Sequence, residues 1–107
     1  MEDKSTKRLI ASAGAWFVGE YAAVMIERFT ELESNKRYKS EFIEDIYNSL
    51  GRDRNLDGTS TRVNAVLRII RSNKIVEALE YVIQSDRMRK DNPGAVRKAK
   101  ETLNNIK

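Results

Sequence analysis

Residues 59–84, TSTRVNAVLRIIRSNKIVEALEYVIQ, decide the fold class. The stretch is rich in the β-branched side chains that strands favour, yet its apolar positions do not alternate with polar ones. Val63, Val66, Leu67 and Ile70 recur at helical intervals, and Ile75, Val76, Leu79, Val82 and Ile83 do the same beyond Asn73. A period near 3.6 residues gathers each set on one side of a helix. Two helices are therefore predicted, over about residues 59–72 and 74–86, with Asn73 breaking the chain between them.

Working upstream, Tyr38, Phe42, Ile43, Ile46, Tyr47 and Leu50 predict a helix over about residues 36–50, closed by Gly51 as a C-terminal cap. Residues 52–58, RDRNLDG, read as a polar turn, and residues 57–60 offer several side chains able to cap the helix that follows. This connection is longer than the roughly three or four residues of a helix-turn-helix, so the pair departs from that motif. Before it, one long helix is expected over about residues 5–34. Its later half places Val18, Ala22, Met25, Phe29 and Leu32 on one side and Glu20, Glu27 and Glu31 on the other. Its earlier half, with Leu9, Ile10, Trp16 and Phe17, is apolar nearly all round, as expected of a helix that is central or covered by a second subunit.

Downstream, Asn92 and Pro93 mark a helix start, because proline at the first helical position loses no hydrogen bond. Val96, Ala99, Leu103 and Ile106 form a narrow stripe behind it. With no repeat or long linker, the expected architecture is a single all-α domain over residues 1–107, a compact bundle of about five helices. The long apolar first helix would lie at the centre or at a dimer seam. Small residues around Trp16 and Phe17 suit close packing in a dimer seam or a monomer core equally, and because five helices give limited cover to so apolar a first helix, a homodimer is expected.

Composition narrows the chemistry. The 107 residues include no cysteine and no histidine, which removes disulfides, thiolate and imidazole nucleophiles or bases, and most zinc and iron sites. An enzyme would have to work with carboxylates, lysine, tyrosine or magnesium. No phosphate-cradling glycine loop is present, and neither a cofactor nor a catalytic centre is expected. Residues 9–19 form an uncharged run, but Glu2, Asp3 and Glu20 flank it, so a buried helix is preferred over a signal peptide or membrane span. A cytoplasmic, membrane-free protein is expected.

Charge is unevenly placed. Residues 1–50 carry seven basic and nine acidic side chains, a balance of −2, and residues 51–107 carry thirteen and seven, a balance of +6. The predicted helix over 59–72 contains no acid at all. Thr61, Asn64, Arg68 and Arg71 fall within about 80° of one another on it, opposite the apolar face. Arginine neutralises phosphates, and Asn and Thr bond to phosphates and base edges. This face, extended by Arg52, Arg54 and Arg62, is the expected nucleic-acid-binding surface, for DNA ahead of RNA. The competing expectation is a solvated basic face paired with the acids of the first helix, in a protein-interaction domain such as a small inhibitor, immunity or assembly factor. Trp16, Phe17, Glu20 and Glu27 are the candidate partner interface of that alternative.

Two further features are weighed and set lower. Glu20 stands among Trp16, Phe17, Tyr21 and Ala22, a setting that suits a perturbed functional acid, but it shares a face with Glu27 and Glu31 and reads better as part of an exposed or salt-bridged stripe. The RMRK and RKAK runs in residues 87–100 read as solvated charge, and their helix lacks the aromatic anchors of a membrane-surface helix.

Overall fold

Gly14 divides what the hydrophobic spacing predicts as one long first helix. Its backbone stands at φ 89° and ψ 129°, a conformation that side-chain-bearing residues rarely adopt, and the helices on either side meet at 93°. The computed structural model describes residues 4–50 and 56–106. Among these the chain forms eight α-helices and no strand: α1 (Lys4–Ala13), α2 (Ala15–Glu27), α3 (Phe29–Ser34), α4 (Lys36–Ser49), α5 (Leu56–Arg71), α6 (Ile75–Gln84), α7 (Asp86–Asp91) and α8 (Pro93–Ile106).

The fold is all-α, with eight helices where about five were expected. Besides the corner at Gly14, a second and gentler break falls at Arg28, which leaves helical geometry at φ −101° and ψ 13°. Its N–H still donates to the Val24 carbonyl, and its own carbonyl accepts from Leu32, each at 3.0 Å. The inward line of Val18, Ala22, Met25 and Leu32 therefore continues buried across the break. The other addition is α7. Ser85 begins it by accepting a hydrogen bond from the Met88 N–H at 3.2 Å, a side-chain cap that satisfies one donor of the first turn.

Local signals elsewhere act as the residue types dictate. Asn35 caps α4 by accepting from the Tyr38 N–H at 3.1 Å. Asn73 takes the left-handed conformation at φ 61°; its N–H donates to Ile70 and that of Lys74 to Ile69, the paired bonds of a Schellman ending for α5. The Asn92 carbonyl accepts from Ala95 and Val96 as α8 begins behind Pro93. Gly51, predicted as a cap, lies outside the described residues.

Every helix contributes to one cluster of buried apolar side chains. At its centre α2 touches α1, α3, α5, α6 and α8, and Phe17, Val18, Ala22 and Met25 are fully enclosed. Of the apolar half of the predicted first helix, the chain's own helices enclose Ile10 and Phe17 and leave Leu9 and Trp16 half-buried. Against α8 the approach is very close, because Gly19 has no side chain: a Cβ built there would lie 2.7 Å from the Ala95 carbonyl oxygen. That approach turns α8 on its axis relative to the predicted stripe. Ala95, Val96, Ala99 and Thr102 are buried, Leu103 is half-buried and Ile106 is exposed.

No single described helix is long and apolar enough to cross a membrane.

Candidate nucleic-acid interface

Helix α5 is enclosed on several sides, by α1, α4, α2, α3 and α6. Its buried arc is correspondingly wide: Thr59, Val63, Ala65, Val66, Leu67 and Ile69 all point inward, and Ile70, expected in the core, is only half-buried. What remains in solvent beyond its first turn is a narrow stripe of Thr61, Asn64, Arg68 and Arg71. These are the four residues whose spacing predicted a common outer face, and they follow Asp57 at alternating intervals of four and three residues along the helix.

Each of the four has a different local state. The Thr61 hydroxyl donates to the Asp57 carbonyl at 3.0 Å, so its lone pairs face outward as acceptors. The Asn64 amide reaches Ser60 Oγ only at 3.5 Å, which leaves most of its donor and acceptor capacity to solvent. Arg68 has no ion-pair or hydrogen-bond partner among the described residues. Arg71 does: its Nε lies 2.9 Å from Glu33 Oε1 of α3, with the arginine side chain 58% and the glutamate 28% exposed.

Arg62 does not belong to this stripe. Rotated about 100° from Thr61, it runs back into the fold, where Nη1 donates to the Ala13 carbonyl at 2.6 Å and the guanidinium carbon stands 5.5 Å from the centre of the Trp16 ring. Its charge sits at the C-terminal end of α1, where orphan carbonyls favour a cation. The expectation that Arg62 extends the binding surface is therefore corrected: it is a clamp on the α1–α2 corner. Arg52 and Arg54 lie outside the described residues.

The candidate partner interface is likewise divided. Phe17 is fully buried, stacked edge-on with Trp16 at 5.5 Å and tilted against Tyr21 at 4.7 Å, so it offers no surface to a partner. Trp16 is half-buried beneath Arg62, and Glu27 is exposed. Glu20 accepts a hydrogen bond from Lys98 Nζ at 2.6 Å, across a shallow depression of about 280 Å³ between α2 and α8. That bond to Glu20, with the carboxylate's charge, holds the Lys98 ammonium above its ordinary range. Burial raises the neighbouring Tyr21 phenol, the Glu20 charge adding to the effect and Lys98 opposing it.

Spacing along the chain gave no sign of Glu33 or Lys98 as partners, since each meets its counterpart only when distant segments are packed together. The two contacts share a pattern: an acid of the N-terminal half joins a base of the C-terminal half. By contrast Arg87 pairs with Asp91 and Arg89 with Asp86 inside α7, so much of the RMRK run is balanced locally. Among the described residues no group of three or more acidic side chains is arranged to hold a metal ion.

The chain matches no protein-family model, no curated protein and no solved structure.

Proposed function

We propose that this protein is a non-enzymatic helical module that binds DNA through the outer stripe of α5. The observation that carries the reading is that Thr61, Asn64, Arg68 and Arg71 share one exposed stripe of a rigid 16-residue helix that has no acid beyond Asp57 in its first turn. Guanidinium groups on such a stripe neutralise phosphates, and Asn64 sits beside them with an amide suited to a base edge or a phosphate oxygen. An overall charge of +4 adds a general attraction to polyanions. Cytoplasmic location accompanies this reading.

The test is fluorescence anisotropy with mixed-sequence duplexes and single strands at low salt. Affinity should fall linearly with the logarithm of salt concentration, because each phosphate contact releases counterions. Arg68→Ala with Arg71→Ala should weaken binding further. Absence of binding to every probe at low salt removes the proposal.

One observation favours the alternative of a protein-interaction domain: two of the predicted cations, Arg62 and Arg71, are engaged within the chain. In that case nucleic acid does not bind, and a protein partner is retained by the wild type and lost by Glu27→Arg. A homodimer, expected from the first helix, would have to form without Phe17, which is fully enclosed.

A further inference from the structure

The Arg71–Glu33 pair joins α5 to α3 at one end of the proposed binding stripe. Like Glu20–Lys98 on the α2–α8 side, it is an ion pair between different helices. Glu33 contributes little to the core: it belongs to a six-residue helix whose one fully buried anchor is Leu32. Its carboxylate nevertheless occupies the place beside the Arg71 guanidinium that a phosphate oxygen would take, at 2.9 Å from Nε.

Resting on the DNA-binding reading of α5, we infer that Glu33 is an intramolecular competitor for the phosphate recognised by Arg71, an electrostatic gate on one end of the site. A phosphate has to displace or share with a carboxylate already in contact with the guanidinium. Such pairs near the surface are weak, so a polyanion opens this one readily, but the contact lowers affinity until it does. Arg68, which has no such partner, engages first. Among the described residues the stripe thus has one cation without a partner and one that a phosphate must win.

The test is a set of four proteins titrated with the same duplex across a salt series: wild type, Glu33→Gln, Arg71→Ala and the double variant. Glu31→Gln is the control, since it removes one negative charge from the same short helix without touching the Arg71 pair. Glu33→Gln should bind roughly two- to fivefold more tightly than wild type, the size of a weak exposed ion pair that no longer has to be broken. In the Arg71→Ala background the same change should give no more than the control does. Equal effects of Glu33→Gln and Glu31→Gln would mean simple charge balance and overturn the gate, as would weaker binding by Glu33→Gln. Binding by wild type with no Glu33-specific effect leaves the α5 reading standing and removes only the gate. Loss of binding in all five proteins removes both.

Discussion

Arg62 Nη1 donates to the Ala13 carbonyl oxygen at 2.6 Å while its guanidinium covers one face of Trp16, so a single side chain of α5 closes the corner between α1 and α2. Gly14, at that corner, would be strained by a side chain for two reasons. Its φ is 89°, and a Cβ there would collide with Arg62 Nη1. Arg62→Ala should lower stability by about 1.5–3 kcal/mol, as expected for loss of a charged hydrogen bond that leaves a carbonyl unpaired. Urea denaturation measures this. In DNA titrations the same variant should leave the salt slope unchanged, and a slope reduced by a full unit would return Arg62 to the binding surface.

Phe17 separates a core from a dimer seam. Because it is fully enclosed by the chain's own helices, Phe17→Ala should destabilise the protein by about 3–5 kcal/mol. Solution mass by sedimentation should be the same for wild type and variant under folding conditions. A wild-type dimer that the substitution converts to a stable monomer would contradict the enclosed position.

The contrast between Gly19 and Gly94 gives a paired prediction. A Cβ at Gly19 meets the Ala95 backbone at 2.7 and 3.1 Å, so Gly19→Ala should push α2 and α8 apart and cost about 1–3 kcal/mol. At Gly94, in the first turn of α8, a Cβ meets nothing within 4 Å. Gly94→Ala should therefore stabilise by about 0.4–1 kcal/mol through the unfolded chain. Thermal and urea unfolding of both variants distinguish the two signs.

The Glu20–Lys98 contact sets an alkaline limit on the α2–α8 interface. Both Lys98 and Tyr21 have folded-state pKa values raised above their ordinary 10.5 and 10.0. Raised values contribute stability that is complete below the unfolded pKa and is lost as pH rises through the folded one. Stability from this cluster should be flat across neutrality and decline above about pH 10. Urea midpoints of wild type and Lys98→Met, compared from pH 7 to 11, should differ at neutral pH and converge at the alkaline end. Convergence already near neutrality would show that the pair contributes nothing.

Arg68 tests the binding stripe most directly, because it is exposed and has no partner to lose within the described chain. Arg68→Ala should reduce the salt slope of DNA binding by about one and leave the urea midpoint within about 0.5 kcal/mol of wild type. A lower affinity accompanied by lower stability would point to a folding effect instead.

By itself the sequence determined the helical class and the outer stripe of α5. Both are periodic properties: Val63, Val66 and Leu67 turn inward at 3.6-residue spacing, and the same geometry sends Thr61, Asn64, Arg68 and Arg71 outward. Local capping also lies within a few residues, which is why Pro93 was readable as the start of α8. Only tertiary structure decided where the first helix breaks, since glycine permits the conformation at Gly14 but Arg62, 48 positions later, clamps it. Only tertiary structure assigned the charges their partners. Glu33 and Arg71, or Glu20 and Lys98, carry no mark along the chain, because ion pairing depends on distance in space and the packing of helices sets that distance.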